Sequence, residues 1–313
     1  MTGPGERPAG EPPEHERVPE QATSAGQGPV RAAGVRGGLT VGVLGVLEVA
    51  VDGRPVPLTT GKLRTLLVVL AMSASATVSM KRLAEAVWSD AQPRHSRRCL
   101  QIYAARLREA LGREWIETRQ DGLLLRAGPD AVDALRFERA LDRAAAERGC
   151  PRERELIQDA LTLWRGQPFD GVSSRWLEEI QAPRLTERHL TALERRAELD
   201  ILAGRAGDAV ADLSEQVSRH PMRESLCLRL LVALDRCGRQ AEALRWYGRV
   251  RAVIARELGV EPNRDLRRAH ADLLAGRPLD APGAVPAAGQ GRWSHRPGQY
   301  GLNRSNLFGR PSR

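Results

Sequence analysis

At Leu39 a leading stretch of Gly, Pro, Glu and Ala gives way to short apolar runs, TVGVLGVLEVAVDGRPVPL. Runs of this length with Asp52-Gly53 between them predict strands joined by a tight hairpin in a small antiparallel sheet. In GKLRTLLVVLAMSA, residues Leu63, Leu66, Leu67, Leu70 and Ala74 recur at helical spacing, and Thr59 or Thr60 is placed to cap the start. Thr77 and Val78 predict a short extended piece, Ser79 another N-cap, and KRLAEAVW a short helix burying Leu83, Ala84, Val87 and Trp88. After the loop SDAQPRH comes SRRCLQIYAARLREALG, where Leu100, Tyr103, Ala104, Leu107 and Leu111 line one helical face and Ser96 can cap the start. The opposite face carries Arg98, Gln101, Ile102, Ala105, Arg106 and Glu109, with Arg97 and Arg108 on its flanks. WIETR and LLLRA then predict two strands joined by Gln120-Asp121-Gly122.

From about Asp130 the pattern is helical to the end of the patterned region. VDALRFERALDRAAAERG, RERELIQDALTLWRGQPFDG, SRWLEEIQAPRLTERHLTALERRAELDILAG and four further segments up to PNRDLRRAHADLLAG read as consecutive helices separated by Gly or Pro. Helix pairs of this size recur at roughly the 34-residue period of tetratricopeptide arrays. The predicted architecture is an α+β winged unit, residues 39–128, followed by an all-α, tetratricopeptide-like unit, residues 129–275. Residues 1–38 hold almost no large apolar side chains and 276–313 have no periodicity, so a disordered arm and a disordered basic tail are expected at the two ends.

Composition sharpens this picture in three ways. Hydrophobic residues make up 42% but aromatics only 4%, so the cores must be built from Leu, Val and Ala. The formal net charge is +9, and all but two of the 48 basic residues are arginine, Lys62 and Lys81 being the exceptions. Positive charge is also placed unevenly: residues 39–128 carry 13 basic against 8 acidic residues, whereas 129–275 balance at 25 each. The segment holding the helix with the arginine face is therefore the one suited to a polyanion.

Enzyme chemistry finds no footing. Gly61-Lys62 ends like a phosphate-binding loop, yet Val56 stands where its first glycine should be and Leu63 where a magnesium-binding hydroxyl should be. No nucleophile elbow, HExxH or dinucleotide glycine pattern occurs. Cys99, Cys150, Cys227 and Cys237 are scattered, as are the six histidines, so neither a metal nor any other cofactor is expected. No run approaches the roughly 18 apolar residues of a membrane span and the first residues lack an export-signal pattern, so a cytoplasmic protein is expected.

The order sheet, helix, short helix, basic helix, hairpin, with the residues TGKLRTLLVVL, TVSMKRLAEAVW, LQIYAARLREALG and IETRQDGLLL, resembles the OmpR/PhoB-type winged helix-turn-helix found in the Streptomyces antibiotic regulatory protein family. HPMRESLCLRLLVALDRCGRQAEALRWYGRVRAVIARELGVEP resembles the bacterial transcriptional activation domain that follows it in that family. The resemblance implies a pathway-specific activator of an antibiotic or other secondary-metabolite gene cluster. It would bind direct repeats of double-stranded DNA near the −35 element as a side-by-side dimer and recruit RNA polymerase holoenzyme. On the recognition helix, Gln101, Ile102 and Arg106 fall at base-reading positions, since arginine can bond guanine, glutamine adenine, and an aliphatic group a thymine methyl. Arg97, Arg98, Tyr103 and Arg108 match or flank phosphate-contacting positions. By the same resemblance Arg119 in the wing would enter the minor groove, and Ser89, Asp90, Gln92 and Arg94 would belong to a polymerase-contact loop. Departures from the family are Arg98 where Asn is common, Ala105 where Ser is, Glu109 where Arg is, and Gln120-Asp121-Gly122-Leu123 in place of an aromatic wing turn. Neither a receiver domain nor the nucleotide-binding ATPase module of larger members is expected in this chain. The other function class open to the sequence is a helical-repeat adaptor or ligand sensor whose basic segment is a docking surface.

Overall fold

The computed structural model describes Met1 and residues 38–280. The expected disordered arm and basic tail lie outside these residues, apart from Met1, Gly38 and 276–280. Strands β1 (Leu39–Gly42), β2 (Glu48–Val51) and β3 (Arg54–Pro55) form an antiparallel sheet in that order. Asp52 and Gly53 make the two-residue turn between β2 and β3, both with positive φ, 52° and 76°, as the right-handed twist of a hairpin demands.

Helix α1 (Gly61–Met72) is apolar on more than the predicted stripe: Leu63 and every residue from Thr65 to Ala71 are buried. It is the central helix of the unit, covered by helices α2 (Met80–Trp88) and α3 (Ser96–Leu111). Ser79 caps α2 by accepting from the Arg82 N–H at 3.3 Å, whereas Thr60 precedes α1 without a side-chain cap. Ser96 is the first residue of α3 and does not cap it; His95 holds that position, also without a side-chain bond. Trp88, expected among the buried residues of α2, is only half-buried.

The extended piece at Thr77 becomes strand β4 (Thr77–Ser79), which joins β5 (Ile116–Arg119) and β6 (Gly122–Leu125) in a sheet of order β4-β6-β5. The wing turn is Gln120-Asp121 alone, and Gly122 belongs to β6. A Cβ at Gly122 would lie 2.1 Å from the Val78 carbonyl oxygen, so the β4–β6 pairing requires glycine there.

Seven helices follow: α4 (Asp133–Ala146), α5 (Arg152–Leu161), α6 (Ala182–Leu202), α7 (Ala206–Arg219), α8 (Glu224–Arg236), α9 (Gln240–Leu258) and α10 (Arg264–Leu274). Successive helices from α4 onward pack on one another. Two of the predicted helical segments come out differently. The segment from Arg152 to Gly171 leaves the helix after Leu161, because its second half, with Pro168 and positive φ at Phe169 and Gly171, runs against the turn between β1 and β2. There Arg165 N–H donates to Leu44 O (2.8 Å), Phe169 N–H to Val43 O (2.8 Å) and Asp170 N–H to Gly45 O (3.2 Å). The segment SRWLEEIQAPRLTERHLTALERRAELDILAG is helical from 175 to 202 but not uniformly α: a π-turn over Leu177–Gln181 directly precedes α6, and Pro183 lies in the first turn of α6.

The first apolar core runs from β1 and α1 through the wing and on into Phe137, Phe169, Val172, Leu177 and Leu185 of the helical segment. A second core lies within α4–α10. At the junction the Asp133 carboxylate accepts from Val43 N–H (2.7 Å) and Leu44 N–H (3.1 Å) and pairs with Arg165. Burial nevertheless raises its pKa, the backbone bonds and Arg165 opposing that shift only in part. Among the described residues no helix is long and apolar enough to cross a membrane.

Candidate nucleic-acid interface

Helix α3 is anchored by Leu100, Ala104, Leu107 and Leu111, all buried, as helical spacing requires. That anchoring turns Arg97, Arg98, Gln101, Ile102, Ala105, Arg106 and Glu109 outward, every one of them exposed. Ile102, 46% exposed, is a large aliphatic side chain left in water on a polar face. Among the described residues Arg97, Arg98 and Arg106 make no ion pair and no side-chain hydrogen bond, so their guanidinium charge is unspent. Glu109 is equally free. A helix of 16 residues with this face is a rod of about 24 Å, a shape the major groove admits.

The flanking residues are held differently. Tyr103 is half-buried and stacks on Trp88, ring centroids 6.0 Å apart and planes at 29°, which fixes α3 against the end of α2. Arg108 donates from Nε to the Ile116 carbonyl at 2.8 Å and from Nη2 to the Thr118 hydroxyl at 2.7 Å. Its guanidinium thus ties α3 to the wing. Arg119 lies on the wing with its side chain 51% exposed and pairs with Glu117 at 2.9 Å, and Glu117 also holds Arg126 at 2.6 Å. One carboxylate therefore offsets two wing arginines.

The loop between α2 and α3 starts at Ser89, whose φ of 52° reverses the chain and whose N–H closes on Glu85 O at 2.8 Å. Gln92 donates to Ser89 O at 3.3 Å, Asp90 pairs with Arg175 at 3.4 Å, and Arg94 is exposed without a partner among the described residues. Two residues to which the sequence assigned no part in this loop complete this end of α2. Ser174 of the helical domain, itself buried, donates to Ala86 O at 2.7 Å, and Lys62 donates to Val87 O at 2.6 Å. Carbonyls of a last helical turn lack partners within the helix, and here an α1 side chain and a residue 88 positions downstream supply them. No local signal marks Ser174; its partner is set by tertiary folding alone. Among the described residues no His, Cys, Asp and Glu side chains cluster as they would around a metal ion.

Similarity to known proteins agrees with this geometry. The family model described as "Transcriptional regulatory protein, C terminal" matches residues 53–122, and that of the "Bacterial transcriptional activator domain" matches 132–274. The chain is 34% identical to transcriptional regulator RedD of Streptomyces coelicolor, over 80% of this chain and 74% of that protein. Regulatory protein DnrI of Streptomyces peucetius is 32% identical over 80% of this chain and 98% of its own length. Regulatory protein AfsR of Streptomyces coelicolor is 31% identical over 94% of this chain, which spans only 30% of that longer protein. Among solved structures, Mycobacterium tuberculosis EmbR, in complex with a low-affinity phosphopeptide, superposes with a TM-score of 0.68 at 31% identity, covering 78% of this chain and 66%, just under two thirds, of that one. With both domain types in this order, an outward arginine face on the third helix, and RedD and DnrI matched along most of their length, the chain belongs to the Streptomyces antibiotic regulatory protein family of DNA-binding transcriptional activators.

Proposed function

We propose that the protein switches on one secondary-metabolite gene cluster by binding direct repeats near the −35 element, two copies side by side, and by recruiting RNA polymerase holoenzyme. The observation that carries this reading is the exposed face of α3: three arginines unpaired among the described residues, Arg97, Arg98 and Arg106, beside Gln101 and the solvent-exposed Ile102. In this reading Gln101, Ile102 and Arg106 contact base edges, while Arg97 and Arg98 meet phosphates. Tyr103 and Arg108 reach the backbone from positions already fixed by Trp88 and the wing. Arg119 enters the minor groove once it releases Glu117, and Ser89, Asp90, Gln92 and Arg94 face the polymerase. The protein acts in the cytoplasm, where its DNA is.

Footprinting on the promoters of neighbouring genes tests the proposal, with protection of two repeats one helical turn apart as the expected pattern. Arg106→Ala should then cost about 1 to 3 kcal/mol and relax preference at a single position of each repeat. Unchanged affinity and unchanged preference in that variant would remove Arg106 from the reading set.

A further inference from the structure

On α9, four residues apart and so on one side of the helix, stand Arg245 and Arg249, with Trp246 between them in sequence. Trp246 is half-buried, and the Arg249 guanidinium lies 5.1 Å from its ring centroid. Together with Glu242 and Ser214 of α7 these three side chains line a surface cleft of about 270 Å³. The surrounding arginines are spent on carboxylates: Arg239 on Glu242, Arg251 on Glu261, Arg256 on Glu257, Arg219 on Glu215. Arg245 and Arg249 have no ion pair and no hydrogen bond among the described residues, and neither does the Trp246 indole N–H. Two guanidinium groups with no ion-pair partner among the described residues, beside a tryptophan face, form the residue combination that dominates the energy of protein interfaces.

The occupant's chemistry follows from the cleft. Two guanidinium groups ask for carboxylates, which they can hold in paired, planar hydrogen bonds, and the indole face asks for an apolar side chain next to them. Glu242 on the same rim is paired with Arg239, so its own charge is largely offset there. Helix α9 packs chiefly on α8 and α10. One short protein segment can present that combination, carboxylates beside an apolar side chain, within a cleft of this size. We infer that the Arg245–Trp246–Arg249 face of α9 docks an acidic segment of RNA polymerase holoenzyme, one that presents two carboxylates flanking an apolar residue. The inference rests on the recruitment reading above and assigns it a surface in the helical domain, separate from the loop at Ser89–Arg94.

Run-off transcription by purified polymerase holoenzyme, from a promoter the protein footprints, is the test. The full chain carrying Arg245→Glu and Arg249→Glu should bind that promoter with unchanged affinity and salt dependence, while stimulation of transcription falls about tenfold or more. Trp246→Ala should fall severalfold, and the Arg245→Lys, Arg249→Lys pair should lie between it and the parent, since lysine keeps the charge without the paired geometry. Circular dichroism of each variant shows that the fold is retained. A double charge reversal that stimulates transcription as well as the parent overturns the inference. So does a parallel drop in promoter affinity and salt slope, which would put DNA phosphates in the cleft, or a loss of cooperativity on two repeats alone, which would put a second copy there. If the parent protein fails to stimulate transcription from a promoter it occupies, the recruitment reading falls, and this surface with it; an active charge-reversed variant removes only the surface.

Discussion

Arginine 108 and arginine 98 lie on the same helix and carry the same charge, yet their surroundings separate them. Arg108 is bonded to Ile116 O and the Thr118 hydroxyl, while Arg98 has no partner among the described residues. Replacing Arg108 with Ala should therefore lower stability by about 1 to 2 kcal/mol, read as a reduced urea midpoint, because two hydrogen bonds from a charged group are lost. Replacing Arg98 with Ala should leave that midpoint where it is and reduce the salt slope of DNA binding by about one. Equal loss of stability in both would mean that the helix–wing tie contributes nothing. Glu109, exposed and unpaired among the described residues, is the one outward residue of α3 that opposes phosphate, and Glu109→Gln should strengthen binding at low salt. Gel shifts at two salt concentrations would show it.

At the scale of elements, the end of α2 and the β4–β6 pair decide how α3 is presented. The buried Ser174 hydroxyl is the partner of the Ala86 carbonyl, so Ser174→Ala should cost about 1 to 3 kcal/mol by leaving that oxygen unsatisfied. A thermal melt checks it, and an unchanged melting temperature would show that water takes over the bond. The apolar spacing of α3 and the cap of α2 are legible in the residues themselves, since both depend on neighbours three or four positions away. The break after Leu161 is not legible. A continuous helical period through Leu163 and Trp164 competes there with backbone hydrogen bonds to Val43, Leu44 and Gly45, and those bonds exist only when residues 43–45 and 165–170 have met.

At the scale of the molecule, the first core crosses from the winged helix into the helical domain, joining Leu39, Val41 and Leu44 to Phe137, Phe169 and Leu185. A fragment ending at residue 128 would expose that apolar surface and lose the partners of Ala86 and of the turn between β1 and β2. Its urea midpoint should accordingly lie well below that of residues 38–280, and equal midpoints would make the two domains energetically independent. The same junction gives the molecule a pH dependence. His189 of α6 is buried, stacked on Trp164 at 4.0 Å between ring centroids and beside Phe137, and burial lowers its pKa to about 4 from 6.5. The folded chain thus holds the neutral imidazole while the unfolded chain takes up a proton below pH 6.5, so stability is complete above that value and falls as the pH drops toward 4. The loss attributable to His189 is at most about 3 kcal/mol, and a His189→Phe variant should flatten the fall measured between pH 7 and pH 4.5 in urea. Arg195 holds the Glu153 carboxylate below its usual range, so that pair weakens only below about pH 4.5, beneath most of the His189 window.

The outward face of α3, the hairpin at Asp52-Gly53, the strand pairs of the wing and the helical run of the second domain were determined by the sequence alone, because each is a periodicity or a turn preference that acts over a few residues. The tertiary structure decided which of the α3 arginines are free. It spent Arg108 on the wing, drew Tyr103 onto Trp88, and placed Ser174 under α2, the helix that leads into α3. It also brought residues 163–172 back across the first sheet. These outcomes depend on which buried polar groups and apolar surfaces find each other over as many as 126 positions in sequence, as Val43 and Phe169 do. No local pattern encodes that meeting, and burying it away from water is what makes it obligatory.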